Sequence, residues 1–486
     1  MSTFAQAGHG TQSNQASALP GGLAAGLVTA LALALRLLHL SARSLTLDEG
    51  FSIFLARTSF DTFTHWLWRS EFNMALYYLL LRGWLHLGSS EFAVRLLSVF
   101  FAAATVPVIY FLGIRLFGRS AALTAALLFA VHPFDVALSQ QARSYSLVIF
   151  LVALSSLCFL CLIENPSPAN CVLYAFLSAA AIYSHFFAVL AILAQGLSLV
   201  WLRRQIAWKA LLRSAALLIL LLIPIAMYLL HVQRAPVGWV PKANLRQALD
   251  VLYSLSLTKG RCLAYVAMWA IAFWCGSRPG EQQAWPYRFA MSWLLAPLAI
   301  TGVAGFVQPL WVPRFLAICI PAAVLLAAAG IVQLARWSRV AGAIVLLVIV
   351  FYSGSAIRFY DRHPEFSVDW RGAISYLLPR LQPGDQLAMD PYVRYTFDYY
   401  RQESSAHVRP LVMTSSLSAP LATPEPANVW AIASVLVNPD DPSSGPQATR
   451  AQVEAFLAAH KSYCAEPPRP EGASVEVWQL RHCTPP

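Results

Sequence analysis

Long apolar runs alternate with short polar turns through the first three quarters of the chain. They cover residues 22–40, 96–112, 121–131, 147–163, 210–230, 262–275, 289–307, 315–331 and 340–352. A helix needs roughly 20 apolar residues to cross a bilayer, and several runs reach that length. The stretch 171–201 is longer and is broken near Tyr183-Ser184-His185, so it reads as two short spans. This pattern predicts a polytopic α-helical membrane protein with about eleven transmembrane helices. A β-barrel would show short alternating segments instead. No internal repeat is visible.

The pattern changes near the C-terminus. Residues 369–381 place apolar side chains at helical spacing. "DQLAMD" and "NVWAIASVLV" read as buried strands, 451–459 as a helix and "SVEVWQL" as an alternating strand. A small soluble α/β domain over 363–486 is the expectation. Residues 1–20 are polar, lack Lys and Arg, and read as a disordered tail. The span after them has no basic n-region, which suggests an uncleaved anchor. The membrane part is then 21–360, with a first outer loop at 42–91.

Composition sharpens this picture. Charged residues make up 12% of the 486 residues, about half the usual share for soluble proteins. Residues 1–362 hold ten Asp and Glu, and five of them fall between Asp48 and Glu91. The net charge of +11 arises in that same part, from Arg far more than Lys. Such an excess suits acidic headgroups or an anionic substrate. The basic residues are scattered between spans, which argues against nucleic acid as a partner. With the N-terminus inside, Arg115, Arg119, Arg203, Arg204, Lys209, Arg213, Arg278, Arg288, Arg336 and Arg339 all fall in inner loops. That parity puts Asp48, Gln140–Tyr145, His185, residues 239–246, Arg314 and the C-terminal domain on the outer side. Cys464 and Cys483 flank the last strand and would face an oxidising compartment, so a disulfide between them is expected, with two unpaired thiols the alternative.

Candidate chemistry clusters on this outer side. "TLDEGF" sets Asp48 and Glu49 at the mouth of a span. A solvated pair at a helix N-terminus is one reading. The other is a carboxylate facing a cavity as a base or metal ligand, because ionisable residues at membrane depth are rare and functional. "RSEFNMALYYLLLRGW" is too short to span and reads as an interfacial helix, with Tyr77, Tyr78 and Trp84 at headgroup level. "HPFDVALSQQARSYSL" gathers Asp135, Gln140, Gln141, Arg143 and Tyr145 between two apolar runs. The Arg143 fork matches phosphate; snorkelling to the interface is its alternative. His185 in "YSHFF" and Arg314 in "QPLWVPRFL" carry the same two readings. No P-loop, GxGxxG, HExxH, GxSxG or zinc spacing occurs in a supportive context.

These residues, in this order, resemble the C-type membrane glycosyltransferase superfold, nearest its protein O-mannosyltransferase-like and aminoarabinose-transferase-like group (glycosyltransferase family 39-like). "LDEG" matches the acidic pair of the first outer loop. "LYYLLLRGW", "SSEFAVRLLSVFFAAATVPVIYFLGIRLFG", "SQQARSYSL", "WVPRFLAICIPAAVLLAAAG" and "DWRGAISYLLPRLQPGDQL" follow in the family's order, from about residue 40 to 400. One departure stands out: Asn73-Met74-Ala75 replaces a basic residue and two prolines. The resemblance implies transfer of a sugar from a polyprenyl-phosphate carrier to a lipid, glycan or protein acceptor outside the cell (inner) membrane. Asp48 would be the catalytic base, and Glu49 would orient the acceptor or help hold a cation. Arg143, Tyr145, His185 and Arg314 would bind the donor phosphate, and Tyr77 and Tyr78 would line the acceptor or donor loop. Asp135 would position substrate or bind a divalent metal ion; some relatives use a metal and others do not. A lipid or oligosaccharide transporter, or a non-catalytic relative of the same fold, are the alternatives.

Overall fold

A computed structural model describes residues 21–202, 206–232, 244–256, 262–277, 284–305, 310–362, 368–403, 412–414, 416–422, 425–434, 446–468 and 475–483. The expected tail at 1–20, Arg203, Arg204, Arg278 and residues 239–243 lie outside these.

Among the described residues, five helices are long and apolar enough to cross a membrane: Glu91–Phe117, Tyr145–Glu164, Trp285–Ala304, Leu316–Trp337 and Arg339–Arg362. Two bent pairs raise the number to seven if each is one span. Arg119–Ala130 meets Pro133–Ser139 at 55°, and Trp208–Leu221 meets Ile223–His231 at 44°. A proline in the first turn of each second helix removes a backbone donor and explains both bends. Four shorter apolar helices complete the bundle: Gly21–Leu37, Pro168–Ser184, Ala188–Trp201 and Leu263–Ser277. The expected count of about eleven is therefore not reached on length and apolarity alone; it needs these four, each of 17 residues or fewer, to cross as well.

The helices Glu91–Phe117 and Arg119–Ala130 pack side by side around the turn at Gly118. Arg36 pairs with Asp135 just past the C-terminus of the second and bonds the Ala130 carbonyl there. At the opposite end Arg115 pairs with Glu164, joining the C-terminal ends of their two helices. The helix expected to break near Ser184 does end there, and the chain resumes helix at Ala188.

Among the described residues, the C-terminal part forms a five-stranded sheet in the order Val412–Thr414, Gln386–Met389, Asn428–Ser434, Val475–His482, Tyr463–Ala465. Strand β1 (Gln386–Met389) lies parallel to β2 (Val412–Thr414) and β3 (Asn428–Ser434). Strand β5 (Val475–His482) runs antiparallel to β3 and to β4 (Tyr463–Ala465). Cys464 and Cys483 form a disulfide with Cα atoms 5.3 Å apart. The amphipathic helix Trp370–Leu377 and the helix Val393–Glu403 turn their apolar faces inward. Trp370, Ile374 and Phe397 share one core with Trp430 and Val477 of the sheet and with Leu45, Ile53 and Val94 of the bundle. Sheet and bundle are thus welded at the end where the candidate residues lie.

Candidate functional site

The site starts at a helix N-terminus. Thr46-Leu47-Asp48-Glu49 is a capping box: the Thr46 hydroxyl accepts from the Glu49 amide, and Glu49 Oε2 accepts from the Thr46 amide at 2.9 Å. This opens the helix Leu47–Arg57 and sends two neighbouring carboxylates to different environments.

Glu49 is fully buried. Arg95 donates to it through Nε at 2.8 Å and Nη2 at 3.0 Å, and the Ala142 amide adds a third bond at 2.9 Å. Arg95 in turn reaches the carbonyls of Leu40, Arg43 and Ser44. Burial pushes the Glu49 carboxyl up, but Arg95 and these amides outweigh it and hold it below the ordinary glutamate value. No oxygen of Glu49 is left to orient an acceptor or hold a cation. Here the structure corrects the sequence: the capping reading is right about the helix end, and wrong about solvent.

Asp48 keeps 28% of its side-chain surface. Arg314 Nη1 donates to its Oδ2 at 3.2 Å, and Arg143 Nη2 stands 4.0 Å from the same oxygen. The Tyr392 hydroxyl donates to Oδ1 at 3.2 Å. Burial raises the Asp48 carboxyl, but the two guanidiniums and the phenol hold it below the usual aspartate value. Arg143 is itself fixed: Nη1 donates to the Asp48 carbonyl, Ser52 Oγ and the Tyr78 hydroxyl at 3.2–3.3 Å. Its carbonyl accepts from Ser98 Oγ, which is bonded to Tyr77.

His185 caps the C-terminus of its helix and is 2% exposed. Its ring lies 6.2 Å from that of Tyr145 and 4.9 Å from that of Phe315, next to Arg314. Nε2 of His185, Nε of Arg143 and the Tyr145 hydroxyl are buried with no hydrogen-bond partner among the described residues. Buried polar groups are normally paired. Three orphans, on Arg143 and on the neighbouring rings of Tyr145 and His185, therefore mark a site that an anion with several acceptor oxygens would complete.

Asp135 is fully buried, with one carboxylate oxygen in a 2.5 Å pair with Arg36. No group of three or more His, Cys, Asp or Glu among the described residues could hold a metal ion, and two guanidiniums beside Asp48 disfavour a cation there. The donor set does not fit the divalent ion. Tyr77 and Tyr78 are completely buried and bonded inside the protein, on the inner face of the helix Ala75–Trp84, while Leu79 lies exposed on its other face.

Several site residues gave little sign in the sequence. Glu71 accepts from Tyr78 at 3.3 Å behind Arg143. Burial pushes its carboxyl above the ordinary glutamate value despite Arg143 and Tyr78. Arg95 could have been noticed as a lone cation entering an apolar run. Asn73 accepts from the Phe186 amide at 2.8 Å and ties its loop to the turn that carries His185. Tyr392 had no signal.

Residues 74–228 match the family model described as dolichyl-phosphate-mannose-protein mannosyltransferase. ArnT from Cupriavidus metallidurans bound to undecaprenyl phosphate superposes with a TM-score of 0.62 at 14% identity, covering 95% of this chain and 98% of that one. Its apo state gives 0.61 at 15%, with coverage of 93% and 97%. The archaeal oligosaccharyltransferase AglB from Archaeoglobus fulgidus, in complex with an inhibitory peptide and a dolichol-phosphate, gives 0.55 at 11%, covering 83% of this chain and 61% of that one. No curated protein sequence matches. The chain is a multi-pass membrane protein with the C-type membrane glycosyltransferase fold, and the resemblance drawn from its motifs stands.

Proposed function

We propose that this chain is an inverting glycosyltransferase. It moves a sugar from a polyprenyl-phosphate-linked donor to a lipid, glycan or protein acceptor on the extracytoplasmic face of the cell (inner) membrane. The observation that carries this reading is Asp48, ionised and partly exposed, held against Arg143 and Arg314 where the turns of the bundle converge.

In the proposed reaction Asp48 takes the proton of an acceptor O–H or N–H. The acceptor atom forms a bond to the anomeric carbon while the bond from that carbon to the phosphate oxygen breaks. The carrier phosphate gains one negative charge as it leaves. Arg143 and Arg314 receive that charge, and the unpartnered groups of His185 and Tyr145 supply further contacts. Such fixed cations need no reorganisation as charge develops. Base catalysis contributes roughly 10²–10⁴-fold. Attack opposite the leaving phosphate inverts the anomeric centre. Glu49 and Arg95 position the helix end that presents Asp48.

The orientation rests on two supports. In the short connections that weigh in the positive-inside rule, Lys and Arg concentrate on the side read as inner, among them Arg115, Arg119, Lys209, Arg213, Arg336 and Arg339. The Cys464–Cys483 disulfide suits an oxidising compartment. In this reading the four short apolar helices also cross, giving about eleven spans, and the sheet is an extracytoplasmic domain.

Asp48→Asn tests the proposal. Membranes from a strain lacking the gene should accumulate a carrier-linked sugar and miss one glycan modification by mass spectrometry. Wild-type protein should restore the modification, and Asp48→Asn, at equal protein level, should not. Full restoration by the variant would remove the base and the proposal with it.

A further inference from the structure

Tyr392 lies 344 positions from Asp48 and belongs to the C-terminal part of the chain, yet its hydroxyl donates to the reactive carboxylate. Two independent features hold it there. The first is local. Strand β1 ends at Met389, and Asp390 then closes a turn: Oδ1 accepts from the Tyr392 amide at 2.7 Å and its carbonyl from the Val393 amide at 2.9 Å. The Tyr392 ring stacks on Phe51, with centroids 5.7 Å apart and planes at 20°. Phe51 sits three residues after Asp48, on the same side of the helix Leu47–Arg57.

The second feature is the docking of the next helix. Val393–Glu403 crosses Leu47–Arg57 at Gly50, the last residue of "LDEG". A Cβ on Gly50 would stand 2.9 Å from Thr396 Cα and 3.0 Å from its backbone nitrogen. Only glycine allows this approach. Farther along, Tyr400 accepts from the Leu45 amide at 2.7 Å and donates to Glu91. The Tyr399 hydroxyl bonds the Ser89 carbonyl at 2.9 Å. Arg371 grips Glu91 and the carbonyls of Ser41 and Arg43.

From this we infer that the C-terminal part of the chain is half of the reaction centre, and that Tyr392 is a positioning residue for Asp48. This rests on the function proposed above. With Tyr392 on Oδ1 and Arg314 on Oδ2, the carboxylate plane is fixed from two sides, and its exposed edge points one way. The glycine of "LDEG" is the seat that brings the phenol within reach. In this reading the sheet-bearing segment sets the geometry and proton affinity of the base.

The groups facing Asp48 are Arg143, Arg314 and Tyr392, with Tyr78 and Glu71 behind Arg143. Of these, Tyr392 alone comes from the C-terminal segment. Removing its hydroxyl takes a donor from the ionised form of Asp48, so the acid limb of the rate profile moves to higher pH by about one pH unit. The maximal rate falls about tenfold as the carboxylate loses its fixed plane.

The experiment uses purified full-length protein, with membranes of the gene-deleted strain as the source of donor and acceptor. Initial rates of sugar restoration are followed by mass spectrometry across pH. Tyr392→Phe should show the raised acid limb and the lower maximal rate, with unchanged half-saturation by membranes. Tyr395→Phe makes the same chemical change three residues away, in a ring packed on Phe54, and should follow the wild-type profile. A Tyr392→Phe profile that coincides with wild type, while Asp48→Asn is inactive, overturns this inference and leaves the proposed function standing. A lower rate with an unmoved acid limb overturns it equally, since that is loss of packing. An active Asp48→Asn removes the proposed function and this inference together.

Discussion

A carboxylate gripped by two guanidiniums and a phenol is a weaker base than one in water. Asp48 therefore stays ionised well below neutral pH in the free protein. Activity that depends on it is present above the lowered value and is lost as pH falls through it. The two cations are the same ones proposed to receive the donor phosphate. Once that anion binds, Arg143 and Arg314 are shared, and a second negative charge stands beside Asp48. Both effects raise its proton affinity. The acid limb of kcat, which reports the complex, is thus expected at higher pH than the limb of kcat/KM, which reports the free protein. Parallel profiles of the two constants on saturating and limiting donor would check it; coincident limbs would mean that the phosphate does not share these arginines.

The helix Leu47–Arg57 shows how one turn divides its labour. Leu47 packs on the shared core, Asp48 faces the site, Glu49 locks the helix to Arg95, and Gly50 admits Thr396. Glu49→Gln leaves Arg95 buried with a neutral partner. Breaking a buried pair costs about 3–5 kcal/mol, and the protein should lose thermal stability accordingly in a melting experiment in detergent. The pH dependence has a defined sign. The Glu49 carboxyl is lowered in the folded state, so its contribution is complete above the ordinary glutamate value and drains away as pH falls through the lowered one. Wild type and variant should converge in acid; a constant difference down to strongly acid pH would assign the loss to packing instead. What could be read in the sequence followed a local rule. Apolar runs marked the helices, alternation marked β5, Tyr183-Ser184-His185 marked a break, and the parity of turns brought Asp48, Arg143 and Arg314 to one end. Arg36 with Asp135, 99 positions apart, and Tyr392 with Asp48 obey no periodicity. They are products of packing, and a sequence holds no local trace of them. In sequence, an acid at a span boundary looks the same whether its partner is a substrate or a distant arginine.

At the scale of the whole molecule, the reaction proposed here requires one end of the bundle to meet the donor headgroup and a single compartment. That end carries the site and the sheet, and the other carries the turn around Gly118 between the helices Glu91–Phe117 and Arg119–Ala130. Orientation decides everything downstream. If the site faces the cytoplasm, a soluble sugar nucleotide is at hand and a lipid-linked donor is superfluous. If it faces outward, the sugar must arrive on a carrier. Two variants, each with one added cysteine, separate these cases. Arg380 is exposed beside the sheet, and Ser120 is exposed at the opposite end. The six native cysteines outside the disulfide are buried or half-buried, so background labelling is low. In intact cells a membrane-impermeant maleimide should modify Arg380→Cys and spare Ser120→Cys, and permeabilised cells should label both. Labelling of Ser120→Cys alone in intact cells would turn the molecule over, place Asp48 on the cytoplasmic side, and leave no reason for its cationic cradle to hold a polyprenyl phosphate delivered from outside.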